Sequence, residues 1–373
     1  MLARRSKTRR PRGHLSHVER ASNLTSPEAS DPEPGQPPLV CICIPTYNAA
    51  GTIRESLESI LTQTYRNIVV HVSDNCSTDD TLNVVASMAD DRVTIHCQDV
   101  NCGAERNFTR CIELATGKYT AIFHSDDIYE PHMVAKQVEY LEGHPDVGSV
   151  FTEAKMINEN GEDIGSLGRV PDAAGAARIG FQELFQKLLL HSNFLVCPSV
   201  MVRTHIYREN IREWGSNLFR SASDIDIWLR LAQVRDIAVL DEKLMRYRIS
   251  TTQFSHLNRN RTERLEFFLV LDHYLSRADV SAFITQQDLR HYAWLDRHER
   301  VARAMNLFGM GRTKESRALL RGTLSRDAFR AAIATRRGLV TLAGIFLMRL
   351  LLPFGSASGS TAIVRAAKRI SWR

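Results

Sequence analysis

The chain has no Cys-x-x-Cys pair, and its cysteine count of seven is odd. No zinc site can be read from that spacing. With Cys41 and Cys43 inside an apolar run, the thiols read as small hydrophobes in a reducing compartment. No apolar stretch follows the basic start of the chain, so no secretory signal is expected. The loop after the first apolar run, TYNAAGT, is not the glycine-rich, Lys- or Arg-bearing loop that cradles phosphates. Acidic residues are missing from 336–373, which carry seven Arg or Lys, while the other 335 residues hold 41 basic against 42 acidic side chains. The net charge of +6 therefore belongs to the C-terminal tail. Nucleic-acid binding is poorly supported, because a hydrophobic helix interrupts that tail.

The interrupting segment, Gly338 to Phe354, is apolar apart from Thr341 and Arg349. As a helix its 17 residues reach roughly 25 Å, short of a hydrocarbon core of roughly 30 Å. Three placements stay open: a helix on the membrane surface with Arg and Lys on anionic headgroups, a tilted span, or a buried helix of a C-terminal bundle. The first fits best, so 337–373 reads as an amphipathic basic membrane-associating tail. Residues 1–38, with six Arg or Lys between positions 4 and 12 followed by Ser, Pro and acids, read as a disordered basic tail.

With 373 residues, 43% of them hydrophobic, the chain can bury a sizeable core. Four apolar runs in its first third, LVCICIP, NIVVHVSD, VTIHCQD and YTAIFHSDD, are short, rich in β-branched and aromatic residues, and bounded by turn residues. They read as strands. Ile53, Leu57, Ile60 and Leu61 recur at helical spacing, as do Leu82, Val85, Ala86 and Ala89, and then Phe108, Ile112 and Ala115. Alternating strands and helices imply an α/β fold with a mostly parallel sheet covered on both faces. Ligands of such sheets sit beyond the carboxyl ends of the strands, where this chain gathers Thr46, Tyr47, Asn48, Asp74, Asp99, Asp126 and Asp127. Adjacent acids after a buried strand repel one another unless a cation joins them.

Further along, NFLVCPSVMVR reads as a strand with a Pro break, and IAVLDEKLMRYRIS as a last strand or pair of strands. In SASDIDIWLRL, Ser223 is placed to cap a helix with Asp224 and Asp226 in its first turn, where the helix dipole favours acids without any further duty. Residues 256–336 read as a helical extension: Leu265 to Ala278, Gln286 to Met310 and Thr313 to Thr335 each carry a helical pattern and no motif.

PTYNAAGTIRESLESILTQTY, VSDNCSTDDT, NCGAERNFTRCIELATGKY, HSDD followed by PHMV, CPSVMVR, SDIDIWLRL and YRIS occur here in that order. Together they resemble a family 2 glycosyltransferase of the GT-A fold, over roughly Pro38 to Ser255, about 60% of the chain. The resemblance implies a Rossmann-like, mostly parallel mixed sheet flanked by helices, spanning 39–255. It further implies that Pro45, Thr46, Tyr47 and Asn48 hold the base and ribose of a nucleotide diphosphate-sugar, and that Asp74 accepts a hydrogen bond from the base. Arg106 and Asn107 would lie near the ribose and diphosphate. Asp127 would be a direct ligand of Mg²⁺ or Mn²⁺, Asp126 would contact the ribose or the ion, and Asp224 would act as general base. Such a metal neutralises the departing diphosphate, and the base removes the proton of an acceptor hydroxyl as it attacks C1 with inversion.

Three positions depart from the family pattern. Ser223 replaces a frequent Glu before the helix aspartate, which leaves Asp226 as an alternative base. Ser250 stands where many relatives place a His, with His256 as the nearest substitute, and His124 occupies a position often held by Asp. The resulting expectation is an inverting enzyme on the inner face of the plasma membrane, acting on a lipid-linked or polysaccharide acceptor. The alternatives are a sugar-phosphate nucleotidyltransferase and a membrane-recruited binding protein with an inactive nucleotide-sugar site.

Overall fold

The computed structural model describes residues 18–20, 36–215, 219, 222–250, 261–326, 329–330, 336–355, 362–364 and 366. Eleven strands form one sheet: β1 (Val18–Arg20), β2 (Val40–Thr46), β3 (Ile68–Asp74), β4 (Val93–Cys97), β5 (Tyr119–Ile122) and β6 (Ile128–Tyr129), then β7 (Val147–Ile157), β8 (Asp163–Leu167), β9 (Ala177–Ile179), β10 (Met201–Arg203) and β11 (Asp236–Arg248). Their order is β1-β4-β3-β2-β5-β10-β7-β11-β6, with β8 beside β7 and β9 beside β11. β4, β3, β2 and β5 are mutually parallel. β10 is inserted antiparallel between β5 and β7, and β11 runs parallel to β7. The four sequence-read strands, β7 and β11 therefore point the same way, and their carboxyl ends share one edge.

Helices α1 (Ile53–Leu61), α2 (Thr81–Ala86), α3 (Ala104–Leu114), α4 (Met133–Gly143), α5 (Phe181–His191) and α6 (Ser223–Val234) flank the sheet. Alternation along β2 divides the core as a pleated strand should. Val40, Ile42 and Ile44 pack with Ile53, Leu57, Met133 and Leu141 of α1 and α4, and Cys41 and Cys43 pack with Cys111, Leu184 and Trp228 of α3, α5 and α6. Both faces are buried, which explains why these strands read as near-continuous apolar runs. All seven cysteines are free.

Beyond the sheet lie α7 (Glu266–Leu275), α8 (Gln286–Gly309), α9 (Thr313–Leu319) and α10 (Arg336–Leu351). Several sequence expectations change. α6 begins at Ser223 itself, whose hydroxyl donates back to the Phe219 carbonyl at 3.0 Å, so it is not the cap. The helix read over Thr313 to Thr335 stops at Leu319, before Gly322, which sits at φ +71°. The Pro-broken run is interrupted by a 3-10 turn, Cys197–Ser199, and only Met201–Arg203 pairs as strand. Within 1–38, read as disordered, Val18–Arg20 adds an edge strand parallel to β4, whose outer ladder is otherwise open. The rest of that tail up to residue 35 lies outside the described residues, as do His256, Arg365, Lys368, Arg369 and Arg373.

Candidate active site at the carboxyl edge of the sheet

The loops after β2 and β3 are laced together. The Asn75 N–H donates to the Thr46 carbonyl at 2.8 Å, and the Asn48 N–H to Ser77 Oγ at 2.9 Å. In return the Thr78 N–H donates to Asn48 Oδ1 at 2.8 Å, and Asn48 takes the left-handed φ of +48° that Asn tolerates. Asp74, 1% exposed, accepts from the Ser77 N–H and hydroxyl at 2.9 and 2.5 Å. Tyr47 is left with its ring half exposed at the rim, beside partly buried Pro45 and buried Thr46.

A second junction ties β3 to the start of α3. Asn75 accepts from the Cys102 N–H at 2.9 Å and donates to Asn101 Oδ1 at 3.0 Å, while Asn107, 3% exposed, accepts from Ser73 Oγ and Gln98 Nε2. Arg106 behaves differently from the expectation. Its guanidinium lies on Glu113 at 2.7 Å, two helical turns further down α3, so it extends away from the edge that Asn107 supports. The i,i+7 pairing explains the direction: an exposed Arg in a first turn finds an acid further along the same face.

Past β5 the chain reaches His124, Asp126 and Asp127, whose donor atoms all lie within 4.8 Å of one another. Asp127 is fully buried, and its Oδ1 accepts the Arg248 backbone N–H at 2.8 Å. Its Oδ2 is buried with no hydrogen-bond partner, 3.8 Å from His124 Nδ1. Burial, then the Asp126 charge, push the Asp127 carboxyl well above the usual range, against the pull of Arg248. An oxygen donor that is buried, unpaired and short of positive charge fits a divalent cation, and all-carboxylate donors suit Mg²⁺ or Mn²⁺.

Arg248, at the end of β11, clamps this turn. Besides its N–H on Asp127, its Nε donates to the Asp126 carbonyl at 2.9 Å, and Nη2 meets Glu55 at 2.6 Å. Register shifts in β11 at Asp241–Leu244 let one strand pair first with β9 and then with β6, delivering Arg248 to the site. Sequence reasoning gave Arg248 no role, although the Tyr-Arg pair in YRIS marked its position.

On the far side stands Cys197, its Sγ 3.8 Å from His124 Nε2. Burial raises this thiol, and the charges of the Asp224 and Asp127 carboxylates raise it further. Asp224, in the first turn of α6, is pushed up to about 6 by burial, with the Ile225 N–H at 2.9 Å and its own backbone N–H pulling it down. Asp226 is turned elsewhere: it accepts from Tyr274 Oη at 3.1 Å and faces Arg230 at 3.7 Å. The alternative base is thus engaged by α7 and by its own helix.

Residues 41–210 match the family described as Glycosyl transferase family 2. They form a family 2 glycosyltransferase domain. An uncharacterized glycosyltransferase of Methanocaldococcus jannaschii is 28% identical over 239 residues, 63% of this chain and 78% of the relative. A second, from Rickettsia prowazekii, is 28% identical over 234 residues, 61% of this chain and 70% of that one. Among solved structures, S. aureus TarS 1-349 in complex with UDP-GlcNAc superposes with a TM-score of 0.54 at 16% identity, covering 89% of this chain and 91% of TarS. That likeness shows a shared fold. The family match over these residues, with the glycosyltransferase relatives, supports an enzyme of sugar transfer over a nucleotidyltransferase.

Proposed function

We propose that the protein is an inverting glycosyltransferase that moves one sugar from a nucleotide diphosphate-sugar to a hydroxyl of a lipid-linked or polysaccharide acceptor. The observation that carries the reading is the buried, unpartnered Oδ2 of Asp127, whose carboxylate lies within 4.8 Å of donor atoms on His124 and Asp126. Asp127 is pinned by Arg248 and has one oxygen to offer, and Asp224 is poised near 6 with no side-chain partner among the described residues to hold it down. A carboxyl at about 6 is ionised at neutral pH yet basic enough to take a proton in a transition state.

In this reading Asp224 accepts the proton of the acceptor hydroxyl while that oxygen attacks C1 from the face opposite the diphosphate. The C1–O bond to the diphosphate breaks, its electron pair leaves with the phosphate, and the configuration at C1 inverts. Asp127 and Asp126 would hold Mg²⁺ or Mn²⁺, which supplies the charge that a departing diphosphate requires. Tyr47 offers its exposed ring to the base, and the laced Thr46–Asn48 and Asp74–Thr78 loops fix where base and ribose sit without reorganisation.

Membrane attachment belongs to the same proposal. Ile345, Met348 and Leu351 of α10 pack on Met305 and Phe308 of α8, while Leu339, Phe346, Leu350 and, just beyond, Phe354 form an exposed stripe on the other side. Arg337–Phe354 is long and apolar enough to cross a membrane, but 39% of it is buried in the protein. A helix with one face docked and the other apolar, beside Arg349, suits the surface of an anionic bilayer.

Donor hydrolysis and transfer assays over a panel of nucleotide sugars, with Mn²⁺, Mg²⁺ or EDTA, test the chemistry. One donor turned over only with metal, giving product of inverted anomeric configuration, is the expected result. Turnover indifferent to EDTA, with Asp127→Ala binding donor as well as wild type, would overturn the metal edge.

A further inference from the structure

The metal edge holds a nitrogen donor as well as two acids. The structure neither turns His124 outward nor buries it in the core: it is partly buried at the edge. Its Nδ1 faces the unpartnered buried Oδ2 of Asp127 at 3.8 Å. Two donors each ~2.1 Å from one ion lie about 3 to 4 Å apart, so this separation already suits joint ligation. The imidazole is also held in place. Phe108 meets it edge-on with ring centroids 5.6 Å apart, Cys197 Sγ lies 3.8 Å from Nε2, and the Ser56 hydroxyl donates to the His124 carbonyl at 2.8 Å. A ring fixed on its far side with a free nitrogen toward a buried carboxylate is how ligating histidines are prepared.

We propose that His124, through Nδ1, is a third protein ligand beside Asp126 and Asp127, and that its nitrogen makes the site select Mn²⁺ over Mg²⁺. This rests on the metal reading above. It goes beyond that reading by replacing an all-oxygen edge with a mixed one. Mg²⁺ demands oxygen donors in a near-ideal octahedron and gains little from imidazole, whereas the softer transition ions accept nitrogen readily.

Pulsed EPR on the full-length, tag-free protein with Mn²⁺ alone, and with Mn²⁺ plus uridine or guanosine diphosphate, tests this without reference to turnover. Wild type is expected to show the ¹⁴N modulation of a directly bound imidazole. His124→Ala and His124→Gln are expected to lose it, with Mn²⁺ affinity falling at least about tenfold and Mg²⁺ affinity within about twofold of wild type. Mn²⁺ bound to wild type without ¹⁴N modulation, or modulation that survives in both variants, overturns the ligand assignment and leaves the metal site standing. No Mn²⁺ binding under any of these conditions overturns the metal reading itself.

Discussion

The carboxyl edge of the sheet and the C-terminal helices treat charge in opposite ways. At the edge, burial holds Asp127 and Asp224 above their ordinary range, and neither the Arg248 charge beside Asp127 nor the backbone N–H groups on Asp224 bring them back. Among the helices, acids meet partners: Arg264 bridges Asp272 and Asp296 at 2.5 and 2.9 Å. Groups kept at odds with their surroundings weaken the fold and mark chemistry, whereas satisfied pairs serve the fold. Mutations in the two regions should therefore move activity and stability with opposite signs.

The largest effect is expected at Asp127. Asp127→Asn should cut transfer on the order of 10³-fold, since charge stabilisation of several kcal/mol is lost, yet raise the melting temperature in metal-free buffer. The sign follows from linkage: with its folded pKa raised, the carboxyl binds a proton in the folded state where the unfolded one has ionised, so stability falls as pH climbs past about 4. Asn removes that loss and keeps an oxygen for the Arg248 N–H. A drop in both activity and melting temperature would place Asp127 with the structural acids.

Asp224 comes next. Asp224→Asn should lower kcat by about 10² to 10⁴ and stabilise the fold by up to about 3 kcal/mol above pH 6, the linkage equivalent of a carboxyl moved from 3.8 to about 6. In wild type, kcat/KM should rise with pH, tenfold per unit below about 6, and flatten above. Asp226→Asn should leave kcat near wild type; burial raises this carboxyl too, so relief of that burial offsets the weakened Tyr274 and Arg230 contacts and stability should stay within about 1 kcal/mol of wild type. Full transfer in Asp224→Asn with loss in Asp226→Asn would reverse the assignment.

The same contrast explains how much could be read in advance. β2 to β5, their three crossover helices and the gathering of Thr46, Asp74, Asp126 and Asp127 at one edge follow from local pattern: short β-branched runs, turn residues and helical spacing. Arg248 on Asp127 spans 121 residues of sequence, and no periodicity announces it. β7 was silent because its Val147–Ile157 run is buried on both faces for most of its length and so lacks the alternation that marks a half-exposed strand. The Ser223 cap failed by one position because helix ends depend on what the hydroxyl meets, here the Phe219 carbonyl. The tail's partner could not be seen at all, since docking α10 on α8 requires the α9 turn between them.

On the structural side of the comparison, Arg264→Ala should lower stability by about 1 to 3 kcal/mol, because charge-assisted bonds to Asp272 and Asp296 and a 2.7 Å bond to Tyr292 are lost together. Donor affinity and kcat per folded molecule should stay at wild-type values. A matching loss of kcat at unchanged stability would mean that the helical region reaches the chemistry.

The smallest effect on the fold, and none on the chemistry, is expected at the exposed stripe. Deleting residues 336–373 would be a poor probe, since it also uncovers Met305 and Phe308 in the core that α8 shares with α10. Leu350→Glu with Phe354→Glu changes only side chains that are 64% and 73% exposed. Stability should then shift by no more than about 0.5 kcal/mol, the usual range for surface sites, and hydrolysis of free donor should be untouched. Cosedimentation with anionic vesicles should nonetheless fall strongly, because two exposed apolar anchors are each replaced by a charge that the anionic surface repels. Vesicle binding equal to wild type in the double variant would sink the membrane role of this face and leave α10 as a bundle helix whose outer residues are merely exposed.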